Sequence, residues 1–270
     1  MSSRKRFRPP RLRAKSRLGK YRIEGLLAEG EYSHLYRALD TIEGRRVALK
    51  IPHAHLADED FLASFRKEAR LAASVDHPCL LALKDASFIK DHFVMAYPLG
   101  QESLADRLAR RISSANLNTL IEHCLSGLAE LHSRRIIHCD IKPENFIVFP
   151  GPSLRLSDFG IARTALRTLN ASGSGTLGYM APEQAMGKAS ARSDVFAVGL
   201  LIHRMITGHL PGYPFTWPFR RNDRLRRKAR PEFIEILRRS MEVDSRKRFR
   251  DAAAMYEAYL KTGQPALFLK

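Results

Sequence analysis

The sequence predicts an α+β chain in which the strands come first and most of the helices follow. Three observations carry this. From Tyr21 to Ile51 the residues are strand-like, broken by a turn at Glu29-Gly30-Glu31. From Asp60 to Ser74, Phe61, Leu62, Phe65, Ala69 and Ala72 recur at helical spacing. Further on, Asn116–Ser133 and Ala191–Thr207 are long segments with apolar faces, and few strand signals remain.

In order, residues 1–19 read as a flexible basic arm. Strands are expected at Tyr21–Leu27, Ser33–Leu39 and Arg46–Ile51, then the helix to Ser74, which His77-Pro78 ends. Two strands, Leu80–Leu83 and His92–Tyr97, come next. Ser103 caps a short helix to Arg111, and the long helix Asn116–Ser133 buries Leu117, Leu120, Ile121, Cys124, Leu125, Leu128 and Leu131. After the helix Ala191–Thr207, Pro211, Pro214 and Pro218 break the chain among Tyr213, Phe215, Trp217 and Phe219. That stretch is either a trimmed loop packing Trp217 or a surface for an acidic partner. Helices at Glu232–Glu242 and Asp251–Lys261 close the domain.

A chain of 270 residues can bury a sizeable core, as one large domain or one two-lobed unit. An odd number of cysteines, Cys79, Cys124 and Cys139, suggests no disulfide framework, so a reducing, cytoplasmic setting is expected. The longest apolar run, Val195 to Ile202, is far too short to span a bilayer, and no signal peptide is expected. The net charge of +18 is concentrated in two places. One is the arm, from Arg4 to Lys20; the other runs from Arg220 to Arg230, opposed only by Asp223. Such blocks attract anionic partners (nucleic acid, an acidic protein or an anionic lipid surface) or serve only solubility. Pro9-Pro10 argues against a transit-peptide helix in the arm.

The chemistry centres on His138-Cys139-Asp140-Ile141-Lys142-Pro143-Glu144-Asn145, a tight loop between two apolar runs. An acid five positions before an amide can steer a hydroxyl nucleophile while the amide oxygen holds a metal ion. Phosphoryl transfer wants that arrangement, because positioning and charge stabilisation do most of the work. Taken singly, Asp-x-x-x-x-Asn is commonly structural. Asp158-Phe159-Gly160 follows another apolar run, so a hairpin would return a second carboxylate to the same place. Lys50, among Val47, Ala48 and Leu49, would be half-buried and need a partner; Glu68, on the Asp60–Ser74 helix, is a candidate, unless it pairs with Lys67 or Arg70.

These motifs resemble the eukaryotic-type, or Hanks-type, serine/threonine protein kinases. The same order runs from Leu27–Tyr36 through Val47–Lys50, His138–Asn145 and Asp158–Gly160 to Ala181-Pro182-Glu183, so the resemblance covers roughly residues 20 to 262. It implies a two-lobed protein-kinase-like fold, with a small β-rich ATP-binding lobe at 20–97, a larger helical lobe at 98–262 and a tail at 263–270. It implies ATP and Mg²⁺ as cofactors and protein substrates as partners. Leu27, Ala28, Gly30 and Ser33 would cover the phosphates, although Ala28 and Ser33 stand where glycines are usual, which restricts the loop. Leu35, Ala48 and Ile147 would sandwich the adenine, and Met95-Ala96-Tyr97 would be the linker whose backbone meets its edge. Lys50, paired with Glu68, would hold the α- and β-phosphates. Asp140 would orient the substrate hydroxyl, Lys142 would neutralise the moving phosphate, and Asn145 and Asp158 would bind the metal. Thr176 would belong to the substrate-facing loop and bond Asp140 and Lys142. Asp194 would hold the catalytic-loop backbone, and Glu183 would pair with Arg248.

One departure stands out. Cys139 occupies the place where kinases switched on by loop phosphorylation usually carry arginine, which makes this a non-Arg-Asp sequence. Activity independent of phosphorylation at Thr164, Thr168, Ser172, Ser174 or Thr176 is therefore expected. A pseudokinase that keeps the fold as a scaffold is the alternative, supported by the glycine-poor loop and Cys139; the full set Lys50, Glu68, Asp140, Lys142, Asn145 and Asp158 opposes it. Polyanion binding through the arm is a third reading. A small-molecule kinase of the aminoglycoside type is a fourth, and the stretch Gly175–Glu183 argues against it.

Overall fold

A computed structural model describes residues 11–30, 32–53, 59–159, 177–263 and 265–268. The chain divides into two compact units: one runs to Val75 and takes in Ala82–Leu99, and the other holds Asp76–Leu81 and everything from Gly100 onward.

In the first unit, β1 (Arg17–Leu18), β2 (Tyr21–Glu29), β3 (Ser33–Asp40), β4 (Arg45–Pro52), β5 (Asp85–Ile89) and β6 (His92–Pro98) form one antiparallel sheet in the order β1-β2-β3-β4-β6-β5. Alternation decides the buried face: Tyr21 and Ile23 of β2 meet Tyr36 and Ala38 of β3, Leu49 and Ile51 of β4, and Val94 and Ala96 of β6 in one core. The helix α1 (Glu59–Ser74) buries Phe65, Glu68, Ala69 and Ala72, a stripe at helical spacing.

Two expectations change here. The basic arm does not run free to residue 19. Leu12 packs against the core and its N–H meets the Tyr36 hydroxyl at 3.1 Å, while Lys15 and Ser16 exchange backbone hydrogen bonds with Ile23. Leu12 and Leu18 supply the apolar surface that makes this docking favourable, despite the surrounding charge. The strand expected at Leu80–Leu83 is a single parallel bridge, Leu80 to Leu156, and the strand lies later, at β5. Leu80 and Leu81 are apolar because they are buried. The real strand is at the sheet edge, half in water, and shows no apolar run.

The second unit opens with β7 (Glu102–Ser103) and α2 (Leu104–Arg107), capped by the Ser103 hydroxyl accepting from Asp106 N. The helix is shorter than expected: Arg107 donates both terminal nitrogens to the Arg111 carbonyl and the chain turns. Next come α3 (Ser114–Ser133), the hairpin of β8 (Phe146–Phe149) and β9 (Ser153–Leu156), and α4 (Pro182–Ala185). Behind these lie α5 (Ala191–Thr207), α6 (Asn222–Lys228), α7 (Pro231–Ser240) and α8 (Ala252–Leu260). Nearly every residue of α5 from Ser193 on is buried, and Gly208, at φ 72°, ends it in the left-handed cap glycine tolerates. Of the aromatics that follow, Phe215 packs edge-on to Phe196 and Phe219 to His203, Trp217 is half-buried against Phe219, and Tyr213 is exposed. The arginine run then forms α6, with Leu225 as its buried anchor. Among the described residues no helix is long and apolar enough to cross a membrane.

Gly127 of α3 explains why Asp76–Leu81 packs with the second unit. A Cβ there would stand 2.7 Å from the Cys79 carbonyl oxygen, so only glycine admits this backbone approach. Helix propensity favours alanine by about 1 kcal/mol, but overpacking against a backbone costs about 1–3 kcal/mol. Gly127→Ala should therefore lower unfolding free energy by about 1 kcal/mol, read from the midpoint of urea unfolding; a stabilised variant would show that the contact is loose.

Candidate active site

The first unit supplies one ion pair. Lys50 stands on β4, opposite Met95 of β6, and its Nζ lies 2.7 Å from Glu68 Oε1 on α1. Both residues are buried, and the Phe65 ring lies 5.7 Å from the ammonium. Neither Lys67 nor Arg70 is the partner of Glu68 in this bond. A buried pair is costly to break by removing one member.

The hairpin ahead of it holds the other residues expected at a nucleotide. Ala28 faces Leu35 across β2 and β3, and Leu27 falls in a register shift between Leu26 and Ala28. Leu27, Ala28 and Gly30 are exposed, while Ser33 and Leu35 are half-buried. The tip is closed by Gly30 N–H donating to the Ser33 carbonyl at 2.9 Å, and His53 Nε2 meets Gly30 O at 3.0 Å. Ala48 is buried opposite Tyr97.

Met95, Ala96 and Tyr97 are not a linker. They lie inside β6, which pairs with β4, and Met95 and Ala96 also pair with β5; the Ala96 carbonyl accepts from Lys84 N at 2.8 Å. Their side chains are buried, so a central strand claims these residues, and the chain leaves the first unit at Leu99. Ile147 of β8 is half-buried in the second unit, packed where a Cβ on Gly100 would clash.

The second unit builds a loop around buried Asp194, near the start of α5. Its carboxylate accepts from the His138 N–H at 2.6 Å and the Cys139 N–H at 2.8 Å. His132 Nδ1 accepts from Ala252 N, so its Nε2 carries the proton it donates to Asp194 at 3.0 Å. The same logic fixes His138: Nδ1 accepts from Asp140 N at 3.2 Å, and Nε2 donates to the Ser157 carbonyl at 2.9 Å. Ser157 in turn donates its N–H and hydroxyl to Asn145 O at 2.8 and 3.0 Å. Asp158, next in the chain, is thereby brought beside Asn145. Both Cys139 and Asp158 have left-handed backbones, with φ of 62° and 60°, conformations that non-glycine residues hold only when surroundings enforce them.

Within this loop Lys142 Nζ lies 2.7 Å from Asp140 Oδ2, and Asn145 Nδ2 donates to Asp140 O at 2.7 Å and Oδ2 at 3.0 Å. Among the described residues, Asp140 Oδ1 is buried and has no hydrogen-bond partner. Burial, with the charges of Asp194 and Asp140, pushes the Cys139 thiol up to about 12, so it stays a neutral neighbour of the acid. Asp140, Lys142 and Asn145 are thus brought together, with Asp158 tethered alongside. Asn145 commits its side-chain nitrogen to Asp140, and its amide oxygen is the kind of ligand a hard cation takes. Among the described residues no three His, Cys, Asp or Glu side chains cluster as a metal cage; one carboxylate and one amide suit Mg²⁺, which keeps several waters. Gly160, Thr164, Thr168, Ser172, Ser174 and Thr176 lie outside the described residues.

Glu183 of α4 meets Arg248 twice, at 2.7 and 3.0 Å, and accepts from the Ser193 hydroxyl. Arg248 also donates to the carbonyls of Arg192, Glu242 and Val243. Sequence reasoning missed Gln184, whose side chain donates to the Cys139 carbonyl at 2.6 Å; glutamine after Glu183 carries no signal of its own.

A sequence profile of the protein kinase domain matches residues 21–260. Serine/threonine-protein kinase PknL of Mycobacterium bovis is 35% identical over 200 residues, 71% of this chain and 50% of that protein. PrkC of Bacillus subtilis, another serine/threonine-protein kinase, is 32% identical over 202 residues, 72% of this chain and 31% of that protein. The chain therefore spans half or less of these relatives. Among solved structures, the kinase domain of Mycobacterium tuberculosis PknI superposes with a TM-score of 0.69 at 21% identity, covering 93% of this chain and 99% of that one. The likeness shows the two-lobed kinase fold.

Burial opposes charge on Glu183, but the Arg248 and Ser193 hydrogen bonds outweigh it and hold the carboxyl below its usual range. A depressed folded-state value means the stabilisation is complete above the ordinary glutamate pKa and is lost as pH falls through the lowered one. Arg248→Met should cost about 3 kcal/mol at neutral pH, and the gap to wild type should narrow as pH drops below the ordinary glutamate value. Urea midpoints across that range check it; a gap constant with pH would show that the ion pair is not its source.

Proposed function

The chain belongs to the protein kinase domain family, and from that premise we propose that it transfers the γ-phosphate of ATP to serine or threonine hydroxyls of protein substrates in the cytoplasm. The observation that carries the reading is the Asp140 carboxylate: Lys142 and Asn145 hold one oxygen, and the other is buried with no hydrogen-bond partner among the described residues. A carboxylate oxygen held open in a fixed loop is what a hydroxyl nucleophile needs as its proton acceptor. Lys142 offsets charge on the transferring phosphoryl group. Asn145 and Asp158 hold Mg²⁺, which when bound neutralises phosphate charge. In the first unit Lys50, paired with Glu68, takes the α- and β-phosphates, and Leu27, Ala28, Gly30 and Ser33 cover them. Leu35, Ala48 and Ile147 contact the adenine. Because Met95–Tyr97 are tied into β6, any backbone contact to its edge falls at the end of that strand.

Cys139 supports the finer reading. Its neutral thiol stands where a guanidinium would answer a loop phosphate, so activity does not require loop phosphorylation. Thr176 contributes to catalysis in its own right. Residues 220–230, where Arg220, Arg221, Arg226 and Arg227 are exposed on and around α6, are the place for an anionic partner.

With ATP, Mg²⁺ and a generic basic protein, Asp140→Asn should lower kcat by about 10²–10⁴-fold, and Lys50→Met should abolish detectable transfer. Phosphate incorporation measures both. If wild type transfers nothing under these conditions while binding ATP, the pseudokinase alternative takes its place. Single alanine replacements of Thr164, Thr168, Ser172 and Ser174 should leave kcat within about threefold of wild type, a difference well under 1 kcal/mol; strict loss rescued by an acidic residue would refute independence from phosphorylation.

A further inference from the structure

We propose that Gln184 is a positioning residue for the phosphate-transfer step, acting on Asp140 through the peptide group that precedes it. The inference rests on the kinase reading above. The Cys139 carbonyl and the Asp140 N–H belong to one planar unit, so holding both ends fixes the plane and the direction in which Asp140 leaves it. The N–H end is held by His138 Nδ1 at 3.2 Å, and the carbonyl end by Gln184 Nε2 at 2.6 Å. One peptide earlier, the Cys139 N–H is held by Asp194. Cys139 sits between these clamps at φ 62°, where a residue with a side chain relaxes toward negative φ unless it is prevented. Relaxation would rotate the Cys139–Asp140 peptide and carry the Asp140 carboxylate off Lys142 and Asn145.

Gln184 is suited to the task by its mounting. It is only 5% exposed and lies in α4 directly after Glu183, which Arg248 and Ser193 anchor. Cys139, Asp140 and Gln184 help to line a cavity of about 10 Å³, at the lower limit for a single water, so water is a poor substitute for the amide. Among the described residues, Gln184 is the one side-chain donor on the Cys139 carbonyl. A reacting group displaced by about 1 Å can lose two orders of magnitude in rate, so a partial release has a measurable consequence.

The test uses the full chain and two variants. Gln184→Leu keeps the volume and removes the donor; kcat should fall about tenfold while KM for ATP stays within about twofold, a split that marks loss of transition-state positioning. Gln184→Glu sets a carboxylate against a carbonyl. Its kcat, divided by that of wild type, should rise as pH falls, because the protonated carboxyl can donate where the carboxylate cannot. Hydrogen exchange should quicken in the peptide containing residues 138–142 in Gln184→Leu, with or without activity. Wild-type kcat in Gln184→Leu overturns the proposal, as does a ratio for Gln184→Glu that does not change with pH. If Gln184→Leu fails to fold, the Gln184→Glu profile decides. If wild type itself transfers no phosphate, the kinase reading fails separately, and unchanged exchange at 138–142 would then remove the clamp as well.

Discussion

The site in the second unit depends on one buried carboxylate. Among the described residues Asp194 meets no lysine or arginine; it is held by two successive backbone N–H groups and an imidazole. Bonds from neutral donors to an ionised acceptor are the stronger kind. In a site that is 1% exposed, losing any of them leaves a charge water cannot reach. That interaction forces the left-handed turn at Cys139, and from the turn follow the aim of Asp140, the reach of His138 to Ser157, and the place of Asp158. The loop's chemistry is borrowed from a helix that carries none.

Much of this was legible in the chain. The residue types at 138–145 and 158 state a requirement for an acid, a cation and two oxygen ligands, and their spacing across a short hairpin puts them together. The Lys50–Glu68 contact was legible as a need, because a lysine among Val47, Ala48 and Leu49 has to find a counter-charge; which acid answered depended on how α1 lies against β4. The pairing of Glu183 with Arg248, far apart in sequence, came from the family resemblance and not from any pattern in the residues.

What was misread has a common cause. Leu80–Leu83 looked like a strand and Met95–Tyr97 like a connection because apolar composition reports burial, not the partner that supplies it. Leu80 and Leu81 lie against Leu156 of β9, whereas Met95 and Ala96 have strands on both sides. The first nineteen residues looked free because charge dominates their composition, yet Leu12 and Leu18 are enough to fasten residues 11–18 to the sheet. Gln184 was invisible for a different reason: its partner is a backbone carbonyl, and carbonyls are the same at every position.

The assignment of Asp76–Leu81 to the second unit has a practical side. The chain passes from one unit to the other after Val75, after Leu81 and after Leu99. Neither unit is a contiguous stretch that a pair of primers could lift out. A fragment cut at Leu99 would carry Leu80 and Leu81 without Leu156 and the face of α3 at Gly127. It would present greasy surface to solvent and invite precipitation during expression. Dissection of this protein calls for point substitutions in the intact chain, or for a short hydrophilic splice that replaces residues 76–81 before the amino-terminal part is made alone.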